Sequence, residues 1–310
     1  MISSLDIVIV NWNAGKLLLE CVRSIGLALN GSFKLNSVTI VDNASQDNSL
    51  NGIEDIQLPI NLIRNSDNFG FARSCNLGAE TSQADYILFL NPDTRLFENS
   101  LQVPITFLDN PMNEGVGIVG VKIVDEKENV SRNCARFPTP LGMIYMSLGL
   151  DKIFPNVFPA HFMTEWDHLD SRVVDQIMGS FLLIRRDLFK RLNGFDERFF
   201  VYYEDADLSL RAKQNGYLSY YLSAASVYHK GGGVSEKVKA QRLFYNLRSK
   251  ILYSRKHFNF ISGFFVSFFI LFCEPVARVI NAIFNSSIDS IKEILSGYKK
   301  LYLFLFLNKS

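Results

Sequence analysis

Asp205 and His229 stand 24 positions apart in 202-YYEDADLSLRAKQNGYLSYYLSAASVYHKGGG-233, and Asp93 in 88-LFLNPDTR-95 closes an apolar run upstream of both. A hard divalent cation takes carboxylate oxygen and accepts imidazole, so Asp93 and His229 are candidate ligands. A second carboxylate left off the metal, Asp205, can take a proton from an attacking hydroxyl. Asn91 and Asp93 lie two apart where 91-NPDTR-95 breaks the strand 86-YILFL-90, and both can lean toward one point outside a sheet. By itself such a turn is common. Three acids in four positions, Glu204, Asp205 and Asp207, open an amphipathic stretch with Leu208, Leu210 and Ala212 that Gly216 can stop. At least one of them is expected merely to complement the helix dipole.

Two further stretches add ligand-binding groups. In 41-VDNASQDNS-49 a strand ends in a carboxylate, where open α/β sheets bind ligands, so Asp42 could accept the imide N–H of a uracil or thymine base. The alternative is an Asp that only caps the following turn. In 67-DNFGFARSCN-76 a glycine turn leads into a helix, and Arg73 and Asn76 there could hold ribose or phosphate oxygens. Tyr202 and Tyr203 offer flat faces to a sugar ring, unless they are core. The run 231-GGG-233 reads as a hinge for a loop closing over a diphosphate. Neither GxGxxG nor GxxxxGK[ST] is present.

Strand-like and helical patterns alternate around these groups. Apolar, β-branched runs at 6–10, 37–43, 60–65, 85–93 and 116–124 predict strands, and 14-AGKLLLECVRSIGLALN-30 and 71-FARSCNLGAETSQ-83 predict helices. The alternation implies an α/β fold with a mostly parallel sheet and helices on both faces. The stretch from 133-NCARFPTPLG-142 to about Asp170 holds four prolines and predicts long loops. One strand is expected over 176-QIMGSFLLIRR-186, then a short helix with Asp187 as N-cap and Gly194 as C′ residue.

Composition sets outer bounds. The 310 residues are 48% hydrophobic, enough for a large α/β domain with an appendage. A formal charge of +1 gives no global field for nucleic acid, which is excluded as a partner. Cys21, Cys75, Cys134 and Cys273 are scattered without metal or disulfide spacing, which suits a reducing cytosol. The segment 5-LDIVIVNWN-13 lacks a basic n-region and is expected to be a first strand rather than a signal peptide. Residues 237 to 256 carry seven Lys/Arg and no acid, and 258-FNFISGFFVSFFILFC-273 follows, almost wholly apolar. Sixteen helical residues reach about 24 Å against a hydrocarbon core of about 30 Å, so an interfacial or re-entrant helix is expected, with a buried hairpin as the rival. The basic run favours an anionic leaflet, and 298-YKKLYLFLFLNK-309 reads as a second contact.

The chain resembles the inverting family 2 glycosyltransferases of the GT-A fold, most closely their bacterial rhamnosyltransferase branch. The resemblance covers about residues 4 to 235 and rests on 7-IVIVNWNAG-15, 40-IVDNASQDNS-49, 64-RNSDNFGFARSCN-76, 88-LFLNPDTR-95, 136-RFPTP-140, 178-MGSFLLIRR-186, 193-NGFDERFFVYYEDADLSLR-211 and 228-YHKGGGVS-235, in family order. It implies a GT-A domain over 1–235 and a basic, hydrophobic helical region over 236–310 that associates with membrane. It implies Asp205 as catalytic base, Asp42 as base reader, and Asp93 as the retained acid of the DxD motif. His229 is implied as a second ligand to Mg2+ or Mn2+. Asn11, Asn43, Asn68, Arg73 and Asn76 join Asp42 and Asp93 as donor-nucleotide residues, and Gly179, Tyr203 and Glu204 as acceptor or sugar residues. The implied donor is dTDP-L-rhamnose, and the implied acceptor is a polyprenyl-diphosphate-linked glycan at the cytoplasmic face of the inner membrane, in cell-surface polysaccharide synthesis. Two positions depart from the family: Asn91-Pro92-Asp93 at the DxD site, and Tyr228 where relatives often have histidine. UDP-galactofuranose, UDP-galactose and UDP-N-acetylglucosamine remain alternative donors. A nucleotidyltransferase should carry a glycine- and arginine-rich loop that 11-NWNAGKLLLE-20 lacks, and a non-catalytic binding module should lack the acids.

Overall fold

The computed structural model describes residues 2–231 and 238–307. The chain divides into two compact units, the first comprising Met1–Phe137, Phe162–Glu197 and Glu204–Val234, the second Pro138–His161, Arg198–Tyr203 and Ser235–Ser310. The boundary expected at 235/236, and Gly232 and Gly233 of the glycine run, lie outside the described residues.

The first unit is built on one large sheet. Its strands are β1 (Ser4–Asn11), β2 (Lys34–Asp42), β3 (Ile60–Arg64), β4 (Tyr86–Leu90), β5 (Thr94–Leu96), β6 (Val116–Val124), β7 (Val130–Ser131), β9 (Arg172–Val174), β11 (Phe181–Arg185) and β12 (Leu218–His229), while β8 (Cys134–Ala135) and β10 (Gln176–Ile177) form a separate ribbon. The main order is β3-β2-β1-β4-β11-β6-β12-β5. β3, β2, β1 and β4 run parallel, as do β6 and β12, and β11 lies antiparallel between β4 and β6. The sheet is therefore mixed rather than mostly parallel: four of the six expected strands form its parallel half, β3-β2-β1-β4, and the expected strands at β11 and β6 lie beyond it.

Both faces are covered, which explains why β1 is apolar at successive positions. Leu5, Ile7 and Ile9 pack on one side with Leu18, Cys21, Val22 and Ile25 of α1 (Lys16–Leu27) and with Ile105 and Leu108 of α3 (Gln102–Asp109). Val8 and Val10 face the other side with Ala72, Cys75 and Ala79 of α2 (Phe71–Ala79). A Cβ on Gly78 would stand 2.5 Å from Val8 Cγ1, so that glycine lets α2 approach the sheet. Phe89, Phe189 and Phe195 cluster with centroids 5.0 to 5.6 Å apart on this face.

Local readings differ in places. Asp187 is not an N-cap: α6 spans Arg186–Arg191, its N-cap is Arg185, and Asp187 sits in the first turn against Arg186. The long strand expected over 176–186 is two strands, β10 and β11, separated by Met178–Ser180. The proline-rich stretch contains α4 (Pro140–Ser147) and α5 (Leu150–Ile153).

The second unit gathers α4 and α5 with α8 (Lys239–His257), α9 (Phe260–Phe268), α10 (Glu274–Phe284) and α11 (Ile288–Phe306). Its core is Met143, Phe244, Leu247, Ile251, Val266, Ile270, Leu271, Tyr298 and Leu301. The apolar helix does not end at Cys273. A π-turn at Phe269–Cys273 joins α9 to α10, making 25 helical residues from Phe260 to Phe284, within which an 18-residue stretch reaches a mean hydropathy of 2.0. Pro275 has no N–H to give the carbonyl four residues earlier, and the Tyr302 hydroxyl donates to that carbonyl, Leu271 O. The basic run is partly spent internally. Lys250 is buried against Glu274 at 3.2 Å, and Arg248 lies 4.5 Å over the Phe304 ring. Lys239, Arg242 and Arg255 remain exposed.

Candidate functional site

The carboxyl ends of β1, β2 and β4 share one sheet edge because the register is parallel, with Asn11 opposite Asp42 and Ile9 opposite Leu90. Asn11, fully buried, donates through Nδ2 to Asp42 Oδ1 at 2.7 Å and to Ser49 Oγ at 2.8 Å. Ser45 Oγ donates to the same Asp42 oxygen at 2.6 Å and its N–H to Oδ2 at 3.2 Å. Asp42 is thus a fixed acceptor at the strand end. Beside it, Asn43 accepts from Ser74 Oγ at 2.7 Å and Asn65 Nδ2 at 2.8 Å, and donates to Gly70 O at 3.2 Å. Asn68 Oδ1 accepts from Gly70 N at 3.0 Å, which shapes the turn into α2.

Asp93 and His229 meet through strand pairing. After β4 the chain turns, Thr94 N–H donating to Asn91 O at 3.2 Å, and β5 then pairs with the end of β12, Thr94 opposite His229. His229 Nε2 lies 3.1 Å from Asp93 Oδ1 and 3.5 Å from Asn91 Nδ2, with the His229 and Asp93 side chains 15% and 13% exposed. Adjacent ligands about 2.1 Å from an octahedral cation stand about 3 Å apart. One imidazole nitrogen and one carboxylate oxygen at that spacing fit a cation that takes its remaining ligands from phosphate and water. Among the described residues no group of three or more His, Cys, Asp or Glu forms a fuller cage. Burial, and then the Asp93 charge, push the Cys21 thiol well above its ordinary pKa, so it stays a thiol.

Asp205 lies in the first turn of α7 (Glu204–Gln214), entered through Tyr202 and Tyr203, both at φ 68. Left-handed φ is costly for such bulky residues. The Asp205 carboxylate accepts from Gln176 Nε2 at 3.1 Å and Ala206 N at 2.8 Å on Oδ1, and from Gly179 N at 3.2 Å on Oδ2. Burial raises its pKa against the pull of those donors. Glu204 is 5% exposed, and burial followed by the Asp205 charge lifts it well above the usual carboxylate range. Asp207 is paired with Arg211 at 2.7 Å.

The break at Met178–Ser180 links the two halves. Gly179 N–H holds Asp205, while Ser180 O accepts from Asn91 N at 3.1 Å and Thr94 Oγ1 at 3.3 Å. Asp205 and the turn that carries Asp93 are therefore both tied to one three-residue segment.

Other expected site residues lie elsewhere. Asn76 clamps Phe195, accepting its N–H at 2.8 Å and donating to its carbonyl at 2.9 Å, so its amide is occupied. Exposed Arg73 lies 4.3 Å over the Phe69 ring. Tyr203 belongs to the second unit, where its ring stands 6.3 Å from His161 and 5.6 Å from Tyr253. Tyr228 donates to Glu126 Oε1 at 3.0 Å beneath Arg95. Sequence reasoning missed Ser45, Ser49, Gln176 and Ser180. Ser45 and Ser49 fall within the quoted 41–49 stretch, but nothing in the sequence marks Gln176.

Comparison with known proteins gives independent bearings. The family model described as Glycosyl transferase family 2 matches residues 6–192. Among curated relatives, the N-acetylglucosaminyl-diphospho-decaprenol L-rhamnosyltransferase of Mycobacterium tuberculosis is 28% identical over 243 residues, 74% of this chain and 76% of its own length. Rhamnosyltransferase WbbL of Escherichia coli is 28% identical over 213 residues, 64% of this chain and 77% of its own. Among solved structures, the mannosyltransferase PcManGT from Pyrobaculum calidifontis, in complex with GDP-Man and Mn2+, is similar over 98% of this chain and 82% of that one, with TM-score 0.57 and 16% identity. S. aureus TarS 1-349 is similar over 97% and 91%, with TM-score 0.53 and 12% identity. Those structural likenesses concern fold alone.

Proposed function

The chain belongs to glycosyl transferase family 2, in its rhamnosyltransferase branch with the GT-A fold, and on that premise we propose that it moves L-rhamnose from dTDP-L-rhamnose to a hydroxyl of a polyprenyl-diphosphate-linked glycan. The observation that carries the mechanism is that Asp205 and the Asn91–Thr94 turn, which presents Asp93 to His229, are both hydrogen-bonded to Met178–Ser180. Asp205 takes the proton of the acceptor hydroxyl as its oxygen attacks the anomeric carbon, the bond to the nucleoside diphosphate breaks in line, and configuration inverts. Asp93 and His229 would hold a Mg2+ or Mn2+ ion, which when bound supplies neutralising charge for the departing diphosphate. Asp42, fixed by Asn11 and Ser45, accepts the thymine imide N–H.

The helical unit supplies the location. Phe260, Phe264, Phe265, Phe268 and Phe272 are between 44% and 88% exposed along the apolar helix. We place that face in the interfacial layer at the cytoplasmic side of the inner membrane, where the lipid-linked acceptor resides. The test is purified protein with Mg2+ or Mn2+ and a panel of dTDP-L-rhamnose, UDP-galactofuranose, UDP-galactose and UDP-N-acetylglucosamine, scored by acceptor-dependent nucleoside diphosphate release. Highest kcat/KM with dTDP-L-rhamnose is expected. Preference for any UDP-sugar would overturn the donor assignment.

A further inference from the structure

The donors around Asp205 are unequally distributed between its two oxygens. A carboxylate offers about four in-plane lone-pair positions. From other residues, Oδ1 accepts from Gln176 Nε2 and Ala206 N, and Oδ2 from Gly179 N, while the Asp205 backbone N–H also acts on its own carboxylate. Toward its neighbours, Oδ1 is saturated and Oδ2 keeps one position open.

Gln176 is placed by its backbone and by burial, and its Nε2–Asp205 contact is the hydrogen bond its amide makes among the described residues, Oε1 having no partner there. Its side chain is 4% exposed, and its backbone pairs with Ala135 in the β8–β10 ribbon while Ile177 pairs with Cys134. The ribbon is tied down by Cys134 N–H, which donates to His168 Nε2 at 3.2 Å. Because that nitrogen accepts, the ring proton sits on Nδ1 and donates to Trp166 O at 3.0 Å. His168 is fully buried and stacks on Trp166 at 3.9 Å. The other charges near this corner are Asp207, paired with Arg211, Asp175, paired with Lys213, and buried Glu204, whose charge also raises the Cys75 thiol.

The geometry points to Gln176 as the positioning residue of the general base: by saturating Oδ1 it leaves Oδ2 of Asp205 as the atom that takes the acceptor's proton. The inference rests on Asp205 being the base. A donor to the ionised form also holds the carboxylate's pKa down, so losing it should raise the pH at which the base becomes active.

The test uses the full chain carrying Gln176→Met, which keeps length and burial but removes the donor. The pH profile of kcat/KM should move its acid limb up by about one unit, with kcat/KM on the acid side of that limb falling about 10-fold and donor KM unchanged. A structural role alone would scale activity down evenly at every pH. An acid limb that stays in place overturns the inference, whatever the rate. If Gln176→Met does not fold, Gln176→Asn, polar but too short to reach Oδ1, is read by the same limb and the same criterion. An inactive Asp205→Asn with an unmoved Gln176→Met limb rejects this inference alone. Near-wild-type turnover in Asp205→Asn rejects the base assignment beneath it.

Discussion

Replacing Asp205 by Asn tests the mechanism at its centre, and the structure shows what the new amide meets. At Oδ1 it would face two donors, Gln176 Nε2 and Ala206 N, and at Oδ2 one, Gly179 N. The amide nitrogen therefore settles at the Oδ2 position, where it loses one hydrogen bond and opposes a donor at a cost of about 1–3 kcal/mol. A second effect runs the other way. Burial has raised the Asp205 pKa, so the folded state binds its proton more tightly than the unfolded chain does, and ionisation near neutral pH costs stability. Removing the charge removes that cost. The two effects offset, so Asp205→Asn should melt within a few degrees of wild type. Its turnover should fall about 10²- to 10⁴-fold, because the atom that would take the proton has become a donor. Acceptor-dependent nucleoside diphosphate release measures the loss, and titration with nucleotide shows that donor binding persists. Turnover within about fivefold of wild type, with donor binding intact, would refute the reasoning.

Asp93→Ala and His229→Ala should each abolish most turnover, and the double variant should lose less than the sum of the two in free energy, because both act through one cation; full additivity, or undiminished activity with a chelator, would count against shared ligation. Changing Phe260, Phe264, Phe268 and Phe272 together to Ser should release the protein from membranes without lowering its melting temperature, since all four side chains are exposed. High salt on wild type should release only part, because screening weakens the contacts of Lys239, Arg242 and Arg255 but not apolar insertion. Burial lowers the pKa of His168, so the unfolded chain binds its proton more readily. Stability should drop as pH falls below about 6.5, and His168→Gln should flatten that drop in denaturant titrations between pH 7 and 5.

β1, β4, β6 and the second half of β2 were legible because they are buried on both faces, and burial on both faces leaves continuous apolar runs. Asp42 and Asp93 were legible as acids at the ends of such runs. The segment 176–186 was not: its apolar residues continue across the break, and only Gly179 hints that Met178–Ser180 leaves the sheet. β12 shows no continuous β-branched run, since Ser219, Ser223 and Ser226 interrupt it, although Tyr221 and Tyr228 are buried. The apolar helix was cut short at Cys273 because Glu274-Pro275 reads as a stop. In three dimensions Glu274 is buried between Lys250 and Arg278, and Tyr302 covers the carbonyl that Pro275 frees.

Those misreadings share a cause that bears on function. Period and composition report the average environment of an element, whereas the reactive geometry depends on single backbone groups that leave the regular pattern. The carbonyl of Ser180 still follows the β4–β11 register, accepting from Asn91 N one step beyond the Phe181–Leu90 pair, whereas the N–H of Gly179 serves Asp205 because Met178–Ser180 lies between the two strands. Were Gly179 part of a regular strand, its N–H would be spent on a sheet hydrogen bond, and Asp205 would keep only Gln176 and its own helix. An insertion or deletion of one residue in this break should therefore cost more activity than a side-chain change at Met178, whose backbone contacts would survive.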